Sequence, residues 1–255
     1  MFSIIIPTIQ KDVDILNKLL TQLNEDKSIG EIIVIDNSGK GLNFNSEKLR
    51  VILKKENIFV NPAWNLGIEE SSENFKYFGI LNDDIIFPKN LFSQVLNFLE
   101  SSASNTGLVG IDCISNTPKA EFNTYPDDSD VKFVVADKLK GFWGSAYFGN
   151  KKNYVKIPEV MKIFYGDHFL FRKNQQAGRI NYFITNLTVK HLESLTSHSS
   201  PFLENMFKKD RKFCIKYDGV ESQKLNFIQR IFSITDYHNH TVICFLGIKI
   251  KIKHS

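Results

Sequence analysis

Asp83 and Asp84 stand side by side, preceded by Asn82, directly after the apolar run Tyr77-Phe78-Gly79-Ile80-Leu81. Two carboxylates so placed repel each other unless a cation or a set of donors lies between them. Magnesium or manganese suits so short an acidic motif, because either is commonly held by one or two carboxylates while phosphate oxygens and water complete the shell. The alternative for any Asp-Asp pair taken alone is a turn that caps the next helix. Two other strand ends shift the balance toward a ligand site: Pro7-Thr8 after a β-rich run at 2–6, and Asp36-Asn37-Ser38 after one at 31–35. In open α/β sheets the ligand crevice lies beyond the carboxyl ends of the strands. No G-x-G-x-x-G follows any strand and no G-x-x-x-x-G-K-[ST] occurs, so a dinucleotide oxidoreductase and a P-loop nucleotide hydrolase both lack their phosphate cradle. Further along, Asp167 and His168 are adjacent candidate proton acceptors. The carboxylate is favoured, since it needs no deprotonation near neutral pH.

Alternating β-rich and amphipathic segments must position these groups. A helix with Ile15, Leu16, Leu19, Leu20 and Leu23 on one face separates the first two β runs, and further β runs fall at 50–53, 77–81 and 108–111. Continuous apolar strands such as Ile-Ile-Val-Ile suit parallel pairing buried on both faces, so an α/β fold follows. Asn61-Pro62 reads as a helix start, with Asn as cap and Pro at the first helical position. Pro88 opens another helix, carrying Leu91, Phe92, Val95, Leu96 and Leu99 inward. Residues 113–130 turn to Ser, Asn, Thr, Pro and Asp and read as a long surface loop. A β run at 132–136 follows, then the aromatic segment at 141–148 and a helix at 167–176 that Gly178 can end. Within the aromatic segment, Trp143 and Tyr147 could stack on sugar faces, whereas rings alternating with small residues are first of all a core strand.

The composition sets the frame around these elements. At 255 residues, with 42% hydrophobic and 24% charged side chains, the chain can bury a core of its own, which excludes disorder, collagen and coiled coil. Cys113, Cys214 and Cys244 lack disulfide or zinc spacing and fit a reducing cytoplasm. No export signal and no run long enough to span a membrane is expected. Of the net charge of +4, residues 205–255 hold ten Lys or Arg against four acids, so that segment is basic and the rest nearly neutral. A basic end of this kind suits anionic lipid or another anionic partner rather than a nucleic-acid groove, or is simply a solvated face. Its Ile248, Ile250 and Ile252 alternate with Lys249, Lys251 and Lys253, the pattern of a strand with one apolar and one cationic face. Such a strand could be an edge kept soluble by lysine, a homodimer contact or a patch that meets anionic lipid.

Taken in order, the motifs resemble an inverting family-two glycosyltransferase of the glycosyltransferase A fold, of the bacterial kind that builds lipopolysaccharide, capsule and other surface polysaccharides. The resemblance covers most of residues 1–219. It rests on Ser3-Ile4-Ile5-Ile6-Pro7-Thr8, on Val34-Ile35-Asp36-Asn37-Ser38, on Asn61-Pro62-Ala63-Trp64-Asn65-Leu66-Gly67, and on Asn82-Asp83-Asp84 in the place of the D-x-D motif. Tyr165-Gly166-Asp167-His168-Phe169-Leu170 is similar to the family's Glu-Asp segment, with Ala177-Gly178 after it. Val189-Lys190-His191 resembles the strand that ends in a metal-binding histidine, and Tyr217-Asp218-Gly219 the family's aromatic-Gly-Gly close.

The resemblance implies a catalytic domain at 1–219, divided into a nucleotide-sugar-binding half at 1–112 and an acceptor half at 113–219, followed by a basic appendage at 220–255. It implies that Pro7, Thr8, Asp36, Asn65, Asn82 and Asp83 bind the donor nucleotide, with Asp36 accepting from the base. Asp84 and His191 would ligate manganese or magnesium at the diphosphate, Asp167 would be the catalytic base, and Trp143 and His168 would meet the acceptor. The expected substrates are a nucleotide sugar, most simply a uridine diphosphate sugar, and a lipid-linked glycan or oligosaccharide at the inner face of the cytoplasmic membrane. No nucleic-acid partner is expected. Three positions depart from the pattern: Asn82 is neutral where the first D-x-D acid stands, Gly166 replaces the first acid of the Glu-Asp pair, and Trp64 stands where a basic residue is frequent. A sugar nucleotidyltransferase is the runner-up, although Pro7-Thr8-Ile9-Gln10 is not its Gly-rich loop. A sheet that binds a sugar nucleotide without turnover is the non-enzyme alternative.

Overall fold

The computed structural model describes residues 1–111, 114–139, 143–192 and 200–217, and the strands at 232–237, 240–245 and 248–253. The expected rhythm is present from the start: β1 (Phe2–Thr8), α1 (Val13–Glu25), β2 (Ile29–Asp36), β3 (Leu49–Leu53), α2 (Val60–Glu69) and β4 (Tyr77–Leu81). Next come β5 (Ile85–Ile86), α3 (Leu91–Ser101), β6 (Thr106–Ile111), β7 (Ile114–Thr117), β8 (Lys132–Val135) and β9 (Ala146–Asn150). α4 (Gly166–Gln176), β10 (Ile180–Thr185), β11 (Val189–Leu192) and α5 (Pro201–Tyr217) follow.

Eight strands form one sheet in the order β3-β2-β1-β4-β9-β6-β10-β8. The first four run parallel, β9 runs antiparallel to both its neighbours, β6 and β10 pair in parallel, and β8 closes one edge antiparallel. Strand residues alternate between two cores, as the two-residue period requires. Ile4, Ile6, Ile32 and Val34 pack with the buried faces of α1 and α3, while Ile5, Ile33 and Ile35 point to the other side, where α2 and α4 lie. Helices therefore cover both faces of a mostly parallel sheet. The order reverses between β1 and β4, and their pairing ends at Ile5↔Ile80 while β1 and β2 stay paired to Thr8↔Asp36. That splaying leaves a crevice at the switch point, and Pro7 sits past the end of the β4 ladder, where an absent N–H costs no bond on that side.

Local departures from the expected elements have physical causes. α2 begins one residue before Asn61, behind Phe59, whose backbone (φ 69°, ψ −178°) turns the chain sharply into the helix. Asn61 is consequently inside α2 rather than its cap, and its amide donates to the Phe164 carbonyl at 3.1 Å. α3 starts at Leu91 with Asn90 before it, three residues later than Pro88 alone suggests. The segment at 113–130 is not a plain loop: β7 pairs in parallel with β11, and a 3-10 turn covers Lys119–Asn123. β5 completes this second sheet, in the order β5-β11-β7.

The chain divides into two compact units, Met1–Cys214 and Ile215–Ser255. The second contains an antiparallel meander of β12 (Phe232–Tyr237), β13 (His240–Phe245) and β14 (Ile248–Lys253). Its register sets Lys249, Lys251 and Lys253 against Cys244, Val242 and His240, and Ile248 and Ile250 against Phe245 and Ile243. The 219–220 boundary, Asp218 and Gly219 lie outside the described residues. Among the described residues no helix is long and apolar enough to cross a membrane.

Candidate functional site

A cavity of about 590 Å³ opens at the strand ends of the first unit. Pro7, Thr8, Asn82, Asp83, Asp84, Asp167 and His191 all line it. β1 ends in Thr8, whose hydroxyl donates to Asp83 Oδ2 and accepts from the Gln10 backbone N–H at 2.8 Å. Burial pushes the Asp83 carboxyl up to about 6; the Thr8 donor holds it down and the neighbouring Asp84 charge adds to the rise. Asn37 lines the same wall, with its N–H on the Thr8 carbonyl at 2.8 Å.

The short β5 explains how His191 reaches Asp84. β11 pairs antiparallel with β5, setting His191 against Ile85, and the Leu192 N–H donates to the Asp84 carbonyl at 2.9 Å. His191 Nε2 then lies 3.3 Å from Asp84 Oδ1. That carboxylate oxygen is buried without a hydrogen-bond partner, and so is His191 Nδ1. A buried anionic oxygen left unmatched is costly, and a cation is what would match it. The 3.3 Å separation is near the edge of an octahedral shell with bonds of about 2.1 Å, which is about 3 Å. Among the described residues no three metal-ligating side chains converge. The pair therefore fits magnesium or manganese, which needs few protein ligands when phosphate oxygens are present, and does not fit a closed structural metal site.

Asp167 stands in the first turn of α4, behind Tyr165, whose left-handed backbone (φ 64°, ψ 6°) ends the preceding loop. The antiparallel pairing of β4 with β9 brings Ser145 beside Asn82, with the Asn82 N–H on the Ser145 carbonyl at 2.9 Å, and so carries the turn at Gly144 to Asp167. A Cβ on Gly144 would sit 3.1 Å from Asp167 Oδ2, so glycine lets this carboxylate approach the turn closely. Burial raises the Asp167 carboxyl above the ordinary carboxylate range, against the opposing pull of His168 and of backbone N–H groups at 168 and 144. Such a carboxylate is a stronger proton acceptor than an exposed one.

Two departures from the family pattern meet here. A Cβ on Gly166 would lie 2.2 Å from Asn61 Oδ1 and 2.7 Å from Trp64 Cζ3. The indole and the amide of α2 occupy the space that a side chain at 166 would need, and Trp64, 3% exposed, forms part of the cavity wall.

Other candidates sit elsewhere. Asp36 does not line the cavity: it is fully buried, and its carboxylate accepts from the Ser38 N–H and hydroxyl, the Gly41 N–H and the Gln10 amide, at 2.6–2.9 Å. Burial alone would raise its pKa, but these donors, Ser38 foremost, hold it below the usual value. Every acceptor position is thus engaged by the chain itself, leaving none for a base; its neighbour Asn37 is the residue of this turn that faces the cavity. Asn65 also points away. Its amide donates to the Ile157 carbonyl at 2.8 Å and its oxygen accepts from the Tyr154 hydroxyl and the Ile157 N–H, so it ties residues 154–157 to α2. His168 is exposed and packs edge-on to Tyr165, with ring centroids 5.1 Å apart. The Trp143 side chain lies outside the described residues, whereas Tyr147 is fully buried core.

Sequence reasoning did not single out two features. One is Asp210 of α5, fully buried, which accepts from the backbone N–H groups of Lys162, Ile163 and Phe164 at 2.8–3.1 Å and so fixes the loop that lines the cavity. The other is the aromatic part of the wall: Phe59, Phe164, Tyr165 and Phe202. A lone acid in a Lys-rich helix and rings far apart in sequence carry no local signal.

Residues 3–174 match the model of the family described as glycosyl transferase family 2. Similar solved structures include GalNAc-T7 with UDP, GalNAc and manganese, at a TM-score of 0.60 and 14% identity over 88% of this chain and 52% of that one. Another is TarS 1-349 of S. aureus in complex with UDP-GlcNAc, at 0.53 and 12% over 90% and 70%. A third is the mannosyltransferase PcManGT of Pyrobaculum calidifontis with GDP-Man and manganese, at 0.54 and 13% over 77% and 58%. The chain thus spans about half the length of the first of these. At such identities the likeness concerns the fold. No curated protein sequence matches the chain.

Proposed function

The chain belongs to glycosyl transferase family 2, and on that premise we propose that it transfers a sugar, with inversion, from a uridine diphosphate sugar to a glycan hydroxyl. One observation carries this reading: a single cavity is lined by Asp84, with an unmatched carboxylate oxygen facing His191, and by Asp167, a carboxylate made more basic by burial. Thr8, Asn37 and Asp83 would receive the nucleotide, while Asp84 and His191 would hold a manganese or magnesium ion. When bound, the cation would offset negative charge on the departing diphosphate. Asp167 takes the proton from the attacking hydroxyl, and the Gly144 N–H keeps its carboxylate oriented. The solved structures with UDP, UDP-GlcNAc and GDP-Man support a nucleotide-sugar donor.

The acceptor in this reading is a lipid-linked glycan of bacterial surface-polysaccharide assembly, with the basic segment at 220–255 meeting anionic lipid at the membrane face. Donor hydrolysis with and without manganese tests the core of the proposal. Release of uridine diphosphate from a nucleotide-sugar panel, stimulated by the metal, is expected. Release of pyrophosphate in a sugar-phosphate and nucleoside-triphosphate assay would indicate a nucleotidyltransferase instead, and nucleotide binding without either product would remove catalysis from the reading.

A further inference from the structure

We infer that the aromatic wall of the cavity and the exposed basic turns of α5 beside it form an acceptor subsite for an anionic glycan, a sugar chain bearing phosphate or carboxylate groups. The inference rests on the transferase reading above and deepens it by naming the acceptor class. Phe202, in the first turn of α5, is 54% exposed yet stacks on Phe59, with ring centroids 6.2 Å apart and planes 25° from parallel. Phe59 holds a backbone conformation ordinarily left to glycine, and its N–H is kept by Asn57 Oδ1 at 2.8 Å. Conformations of this kind persist where surrounding structure enforces them, characteristically at ligand clamps.

The wall is braced from behind. Phe164 and Tyr165 pack on Phe207 of α5 at 5.3 and 5.2 Å, and the Asp210 carboxylate binds their loop to the same helix. An uncovered aromatic surface next to a proton-accepting carboxylate suits the C–H face of a pyranose whose hydroxyl is to be deprotonated.

Charge selects among glycans. Beyond Phe202, α5 exposes Lys208, Lys209, Arg211 and Lys212. At 1.5 Å and about 100° per residue, Lys209 stands about 10 Å along the helix on the side of Phe202, and the Arg211 charge acts on Tyr165 of the wall, so these two can meet sugars flanking the one at the wall. Of the two acids between Phe202 and Lys212, Asp210 is buried and committed to backbone N–H groups, leaving Glu204. A positive surface leading to a cavity concentrates anionic ligands there. Anionic lipid would meet the same charges, but the exposed large apolar side chains of α5, Phe202, Ile215 and Tyr217, stand at the two ends of the helix and form no continuous stripe beside Lys208–Lys212, which an interfacial helix needs to insert.

A glycan array carrying neutral, uronate and phosphorylated oligosaccharides, probed with the full chain, tests this. Binding confined to the anionic glycans is expected, falling at least tenfold in Phe202→Ala. Lys209→Glu combined with Arg211→Glu should cause a similar fall and flatten the salt dependence. Preference for neutral glycans, no glycan bound at low salt, or anionic binding untouched by the charge reversal would overturn the inference. So would a charge reversal that abolishes binding to phosphatidylglycerol vesicles while sparing the glycans. Calorimetry of UDP with manganese on the same preparations keeps the two readings apart: absent UDP binding counts against the donor assignment, whereas the array result counts only against the acceptor subsite.

Discussion

Alanine at Gly166 probes whether Trp64 and Gly166 are one exchange or two separate defects. The new Cβ would fall 2.2 Å from Asn61 Oδ1 and 2.7 Å from Trp64 Cζ3, well inside van der Waals contact. Neither neighbour can step aside freely, since Asn61 is fully buried with its amide on the Phe164 carbonyl and Trp64 is wedged edge-on to Tyr147 at 5.5 Å. Overpacking of this kind costs about 1–3 kcal/mol, and displacing the Asn61 bond adds about 1 kcal/mol. Alanine's better helix propensity returns at most about 1 kcal/mol. The net, about 1–3 kcal/mol, corresponds to a Tm lower by about 3–10 °C for a unit of this size. Differential scanning calorimetry of Gly166→Ala, Trp64→Leu and the double variant forms the test: the single glycine change should lower Tm, and Trp64→Leu should recover part of that loss in its presence. A Gly166→Ala protein as stable as the parent, or a strictly additive cycle, would refute the claim that the indole fills the place of a side chain at 166.

Asp84→Asn should lower UDP affinity in manganese at least tenfold, to the metal-free value, because a hard carboxylate oxygen leaves the shell; unchanged manganese enhancement in calorimetry would contradict the ligand assignment. Because burial holds the Asp167 carboxyl above the ordinary carboxylate value of about 3.9, kcat/KM should fall as pH drops through that raised pKa, where the base becomes protonated. Asp167→Asn should abolish that acid limb and reduce turnover by about a hundredfold or more with UDP affinity intact, and a persisting limb would move the role to another group. Asp210→Ala would strand three backbone N–H groups, each worth about 1–3 kcal/mol when buried, so its Tm should drop further than that of Asp210→Asn, which keeps one acceptor oxygen. Equal Tm values for the two variants would mean that the loop at 162–164 does not depend on this contact.

The central strands β1, β4 and β6 were legible because they are buried on both faces and therefore nearly pure in apolar residues, so the polar residues that follow them stand out. Pro7-Thr8 and Asn82-Asp83-Asp84 come to one cavity by that route, since a sheet aligns the ends of its strands whatever the intervening helices do, while His191 arrives through the pairing of β11 with β5 in the smaller sheet. Asp36 obeyed the same rule in sequence and failed it in space: Gln10, two residues beyond β1 at φ 55°, turns back to donate to its carboxylate and to the Gly41 carbonyl. Helix α2 misled for a related reason, because Asn61 and Asn65 look like a cap and a pocket residue while both amides are spent crosslinking α2 to the loop at 157–164. Side-chain amides and carboxylates satisfy whatever backbone group is nearest, and that neighbour is set by tertiary contacts that no local pattern encodes. The aromatic wall is the extreme case. Phe59 and Phe202 meet only after β11 returns the chain to the strand ends and α5 folds back over the loop that Asp210 holds, so this part of the cavity wall is written in packing between segments rather than in any one of them.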